Sequence, residues 1–190
     1  MLRFSGFKCL LILSILCCLT RPVLSGCRDA TFDPSIDYFP DKVFFYDNEE
    51  ISSPEFSVTY QNSYIILTNN KSSETYVLYC TATQPNVAGV VTNVSNYIQI
   101  PVANVAVSDR SVISFLEILG EETTIKYVDD KLSITSPCLQ KQVNNSLIDT
   151  MNFANTTLVE NLDVIFTNTP SQTGGKYVTI SYDEDTPALR

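Results

Sequence analysis

The sequence predicts an α/β fold, a mainly parallel sheet flanked by helices with antiparallel strands at its N-terminal side, and three observations carry that expectation. Asn104 to Val107 is a nearly unbroken apolar, β-branched run, the pattern of a strand buried on both faces in a parallel sheet. From that run onward strands and helical patterns alternate, which argues for parallel strands joined by crossover helices. Upstream of it, short strand-like runs follow one another across polar turns, which argues for hairpins.

Taken in order, residues 1–25 read as a secretory signal: Arg3 and Lys8 precede an apolar stretch from Cys9 to Leu19, and the small residues Ser25 and Gly26 follow. A membrane anchor is the rival, but the apolar stretch is short for a bilayer. Residues 26–55 are rich in Pro, Asp and aromatics without a period, and are expected to wrap the domain as an extended segment. The aromatics Tyr38, Phe39, Phe44, Phe45 and Tyr46 are read there as packing groups. Phe56 to Tyr60, Tyr64 to Thr68 and Thr75 to Thr81 are three strands of an antiparallel opening. Residues 84–96 read as a loop, and Tyr97 to Val102 leads into the central unit.

That unit runs from Pro101 to Asp130. Ser108, Asp109, Arg110 and Ser111 suit a helix N-terminus, where side-chain oxygens satisfy backbone N–H groups that have no partner in the helix. Val112, Phe115, Leu116 and Leu119 fall on one apolar face, and Gly120 stands where a left-handed cap ends a helix. Ile125 to Val128 is the next strand. Ser136 before Pro137 starts a second helix, with Leu139, Val143 and Leu147 as its apolar side. A short helix from Thr156 to Asn161, a buried strand from Leu162 to Thr167, a turn at Gly174 and Gly175 and a last strand from Lys176 to Tyr182 complete the reading.

Composition narrows function. A formal charge of −9, with 12 Lys and Arg scattered singly, leaves no footprint for nucleic acid or for an anionic membrane. The absence of histidine removes the commonest general base, nucleophile-activating partner and metal ligand together, so no enzyme, metal or cofactor is expected. Glu117, Glu121, Glu122 and the run Asp183, Glu184 and Asp185 are read as solvated surface charges.

Of six cysteines, Cys9, Cys17 and Cys18 leave with the signal. We pair Cys80 with Cys138 in an oxidising compartment, which leaves Cys27 for lipid, for an intermolecular bond or free. Leu24, Ser25, Gly26 and Cys27 match a bacterial lipoprotein box, so lipid anchoring through Cys27 is the alternative to simple secretion. Sequons at Asn70, Asn93, Asn144 and Asn155 are the glycosylation sites a eukaryotic secretory route would use, and the cysteine-rich signal core with an Asn-, Ser- and Thr-rich surface is what inclines the reading to that route.

The segment PVANVAVSDRSVISFLEILGEETTIKYVDD, with LVENLDVIFTN some way downstream, resembles the N-terminal lobe of periplasmic substrate-binding proteins that deliver iron-siderophores and cobalamin to ABC importers. DYFPDKVFF, FSVTYQNSYIILTN, ETYVLYC and SPCLQK are similar to blocks of a secreted branch with eukaryotic members, and the likeness covers roughly residues 37–190. It implies a single Rossmann-like lobe over residues 56–190, with a connecting helix and a second lobe that this sequence does not contain. It implies no catalysis, and a ligand of the siderophore or corrinoid class held at strand C-terminal ends. A partner protein or the second lobe would supply the facing wall. The positions falling at those ends are Ser108, Asp109, Arg110, Ser111, Ser136, Asn168 and Thr169, the same ends that the crevice rule for open α/β sheets selects. Arg110 is the best single candidate, because a guanidinium holds an oxyanion by paired hydrogen bonds.

Overall fold

The computed structural model describes residues 27–28, 30–42, 51–52, 55–152, 155–168 and 175–180. Residues 1–25, read above as a signal, together with Phe44, Phe45, Tyr46, Thr169, Gly174 and the acidic run Asp183 to Asp185, lie outside them.

Among the described residues ten strands form two sheets of five. The first is built in chain order from β1 (Ile51–Ser52), β2 (Phe56–Tyr60), β3 (Tyr64–Asn69), β4 (Glu74–Tyr79) and β5 (Val94–Gln99). Its first four strands are antiparallel, and β5 adds in parallel to β4. The second is wholly parallel, in the order β10-β9-β6-β7-β8, from β6 (Val105–Val107), β7 (Ile125–Val128), β8 (Asp149–Thr150), β9 (Val164–Thr167) and β10 (Tyr177–Thr179). The expected mixture of parallel sheet and antiparallel additions is therefore present. Three strands differ from expectation: β5 begins at Val94, inside the stretch read as a loop, and the two-residue strands β1, inside the segment read as extended, and β8 were not foreseen.

The central strand β6 explains why its sequence lacks alternation. Val105, Ala106 and Val107 are at most 1 % exposed, with β7 on one side and β9 on the other. Successive side chains leave a strand on opposite faces. Val105 and Val107 join the main core with helices α1 (Arg110–Leu119) and α2 (Pro137–Asn144), while Ala106 joins Ile165, Leu162 and Met151, against which Leu158 and Val159 of α3 (Thr156–Glu160) pack. Tyr76 and Ile98 of the first sheet also enter the main core, so the two sheets share one apolar interior.

Helix α1 begins and ends as its residues dictate. Asp109 caps its N-terminus by accepting from Ser111 N at 2.8 Å, and Gly120 closes it at φ 74°, a left-handed angle that glycine adopts without penalty. Its buried face is a correction. Val112, Ile113 and Leu116 turn inward, whereas Phe115 and Leu119 are 39 % and 71 % exposed. A helix apolar on two overlapping stripes does not declare which one meets the sheet. In α2 only Leu139 is buried; Leu147 lies past its end and is exposed.

The disulfide is also a correction. Cys27 bonds Cys80, with Cα atoms 5.5 Å apart, and Cys138 is free and exposed. Cys80 follows β4 in the first sheet and is fully buried beside Phe39 and Cys27. Cys138 stands in the first turn of α2, in the part of the chain built on the second sheet. A bond needs Cα atoms within about 7 Å, which strand order sets and cysteine counting does not. Because the Cys27 sulfur is committed to the disulfide, it is not available to carry a thioether-linked lipid. Among the described residues no helix is long and apolar enough to cross a membrane.

Candidate functional site: a crevice at the ends of the central strands

Strand β6 is followed by Ser108, whose N–H and hydroxyl both donate to Phe166 O, at 2.9 and 3.1 Å. This pair ties the ends of β6 and β9 together and delivers Asp109 and Arg110 to the rim. Strand β7 ends at Val128, after which Asp129 N bonds Val107 O at 3.1 Å and Asp130 caps a single helical turn, Lys131–Ser133, through Leu132 N at 2.9 Å. Buried Ile134 anchors the chain beyond that turn, and Gln140 Nε2 donates to its carbonyl at 3.0 Å. The rim is thus fixed by backbone bonds and two acidic caps.

Two adjoining cavities open along it. One, of about 500 Å³, lies between α1 and the turn before α2 and is lined among others by Arg110, Ser114, Glu117, Ser133, Thr135 and Ser136. Its neighbour, of about 370 Å³, lies over the ends of β6 and β7 and is lined by Ser108, Asp129 and Asp130 among others. Asp109, Arg110, Ile113 and Ser133 belong to both.

Of the positions expected at a ligand site, Ser108, Asp109, Arg110, Ser111 and Ser136 come together along this crevice. Asn168 is exposed just past β9 and lines neither cavity. Several of these side chains already have structural tasks. Asp109 accepts from both Ser111 N and Ser111 Oγ, the latter at 2.7 Å. Ser136 is the N-cap residue of α2, yet its hydroxyl does not cap; it donates instead to Glu117 Oε1 and joins α2 to α1 across the cavity floor. Arg110, exposed at the first position of α1, is the cation of the rim.

Glu117 corrects the reading of it as a solvated charge, because it is half-buried and hydrogen-bonded inside the crevice. Its position was available in principle. Arg110, Ser114 and Glu117 stand one above another at helical spacing, so a helix that offers Arg110 to a crevice offers Glu117 too. Asp129 and Asp130, also missed, directly follow a parallel strand, where the crevice rule places ligand-facing residues.

No protein family, no curated protein and no solved structure matches the chain. The likeness to substrate-binding lobes therefore rests on the sequence blocks alone, and the crevice is interpreted from its own geometry. Among the described residues no group of three or more His, Cys, Asp or Glu side chains is placed to hold a metal ion. The four sequon asparagines, Asn70, Asn93, Asn144 and Asn155, are all exposed, and none lines either cavity.

Proposed function

We propose that this chain is a non-catalytic, secreted binding module of the substrate-binding-protein type, whose crevice at the ends of β6 and β7 forms one wall of a site for a siderophore- or corrinoid-class ligand. The observation that carries the reading is the position of the crevice. Two cavities meet at the C-terminal ends of the central parallel strands, lined by hydroxyls, carboxyls and one guanidinium, where open α/β sheets bind small molecules. Secretion and glycosylation belong to the same proposal; a disulfide and four exposed sequons support them. A second lobe or a partner protein supplies the facing wall.

Equilibrium dialysis of the secreted chain against a ferric trihydroxamate, a ferric tris-catecholate and a corrinoid tests the reading. Saturable retention of one of them, weakened at least tenfold by Arg110→Ala, is expected. Failure to retain any of the three, alone and with a second lobe supplied, would sink it.

A specific observation favours one other reading, an extracellular interaction domain that keeps this fold without the ligand. Helix α1 presents Phe115, Ile118 and Leu119 on its outer face, at 39 %, 81 % and 71 % exposure. An apolar stripe of this kind marks contact surfaces between proteins. Retention of no small molecule, together with a protein partner whose binding Ile118→Glu abolishes, would favour that reading.

A further inference from the structure

The parallel sheet is closed unequally on its two faces. Val105 and Val107 point into the main core, where α1, α2 and the first sheet meet them. The opposite face carries Ala106, Ile165 and Tyr127, and among the described residues the helix packed on it is the five-residue α3. Wholly parallel sheets are normally covered on both faces. Beside α3 lies a cavity of about 430 Å³, which shares no lining residue with the crevice.

The walls of this cavity suit a neutral, amphipathic occupant. Tyr127, Leu147 and Leu158 give it apolar surface, and Leu147 is 60 % exposed. Asn104, Asn161 and Ser146 add neutral hydrogen-bonding groups. The two charged residues on its border are engaged locally: Lys126 Nζ donates to Thr123 O and Asp149 Oδ1 accepts from Lys131 Nζ, both at 2.8 Å. A pyranose ring, apolar on its faces and polar at its rim, matches these walls. The chain brings its own attachment point for one, because Ser146 is the third residue of the sequon Asn144-Asn145-Ser146 and also lines the cavity. Asn144 to Leu147 are all exposed, from the last residue of α2 into the turn beyond it. Two residues of chain, at most about 7 Å even when extended, separate Asn144 from Ser146. The other three sequons contribute no residue to this cavity.

Resting on the secretion and glycosylation proposed above, we propose that an N-linked glycan on Asn144 folds back into this cavity, its first N-acetylglucosamine seated against Tyr127 and Leu147, and so covers the open face of the parallel sheet. In the attachment step Asn144 Nδ2 loses one proton and bonds the anomeric carbon of the sugar, whose bond to a polyisoprenyl diphosphate carrier breaks; the diphosphate leaves with the bonding electron pair. The attached sugar then shields apolar surface that would otherwise face water.

The test uses the full chain secreted from a eukaryotic cell with isotope-labelled N-acetylglucosamine, peptide mapping for occupancy of each sequon, nuclear Overhauser contacts from the first sugar, and hydrogen exchange. Occupancy of Asn144 is expected, with contacts from the N-acetyl group to Leu147 and the Tyr127 ring. Amides from Ser146 to Asp149 are expected to exchange at least threefold more slowly than in Asn144→Gln. Enzymatic trimming of the glycan to its first sugar should keep that protection. Leu147→Ser, at an exposed site, should keep the glycan and lose the contacts. An occupied Asn144 without those contacts, or with exchange equal to that of Asn144→Gln, overturns the seat while leaving glycosylation standing. A bare Asn144 beside another occupied sequon does the same. Four bare sequons overturn the glycosylation reading itself, and the seat with it.

Discussion

Tyr76 Oη accepts a hydrogen bond from Thr179 N at 2.9 Å and donates one to Glu74 Oε2 at the same distance, across 103 residues of chain to Thr179. This contact welds the antiparallel sheet to the edge of the parallel one. Strand β10 pairs with β9 along one side only, and its outward-facing backbone groups at Tyr177 and Thr179 are met by side chains from the other sheet. Asn96 Nδ2 donates to Tyr177 O at 2.7 Å and Asn69 Nδ2 to Thr179 O at 3.2 Å. An edge strand that would otherwise invite pairing with another chain is thereby closed.

Tyr76→Phe keeps the ring, which is 1 % exposed, and removes only the hydroxyl. A buried Thr179 N–H then has no partner, and leaving such a donor unsatisfied costs about 1–3 kcal/mol. Urea unfolding is expected to show a lower midpoint with an unchanged slope. A midpoint equal to wild type would mean that water replaces the hydroxyl and that the weld contributes nothing.

The same hydroxyl sets an alkaline limit on stability. Burial, helped by the hydrogen bond and charge of Glu74 and opposed by the Thr179 N–H, pushes Tyr76 up to about 12 from its usual 10. The folded state thus holds the phenolic proton more tightly than the unfolded state does. The contribution is complete below about pH 10 and is lost between pH 10 and 12, at a slope near 1.4 kcal/mol per pH unit at most. Burial raises Tyr64 and Tyr79 as well, so they act in the same direction. Unfolding curves measured from neutral pH to pH 12 are expected to fall only above pH 10, less steeply in Tyr76→Phe.

Cys27 and Cys80 close a loop with a sequence separation of 53 residues. For a loop of that size the chain-entropy argument gives about 4 kcal/mol of stabilisation. Replacing both cysteines by alanine is therefore expected to lower the thermal midpoint substantially, whereas Cys138→Ser, at an exposed site, is expected to leave it within a degree or two. Alkylation of the native protein followed by peptide mapping should label Cys138 alone among these three. Label on Cys80 would contradict the pairing.

Gly120 offers a cleaner backbone experiment. A Cβ built there meets nothing within 4 Å, so Gly120→Ala adds no clash and only the cost of holding alanine at φ 74°. That cost is roughly 1 kcal/mol, and Gly120→Asn, more tolerant of the left-handed region, should lose less. Equal losses for the two substitutions would argue against a purely conformational cause.

How much of this was legible differs from element to element. The β6–α1–β7 unit was, with the polar stretch Ser108 to Ser111 as the helix start and Gly120 as stop, and so was the start of α2 at Ser136 and Pro137; which of the four polar residues caps α1 was not. The chosen face of α1, the early start of β5, the partner of Cys80 and the inward role of Glu117 were not. Among the expected ligand positions the crevice gathers those at the ends of β6 and β7, and the residue past β9 stands apart.

The physical reason is range. Capping, left-handed stops, strand burial patterns and helix periodicity depend on dihedral preferences and side chains within a few residues of one another, so the amino-acid sequence alone determined them. Which cysteine meets Cys80, which stripe of α1 meets the sheet, which side chains close the β10 edge and which carboxyls converge on the crevice depend on how distant strands are ordered. Only the packed tertiary structure decided those, by bringing Tyr76 to Thr179 and Ser136 to Glu117.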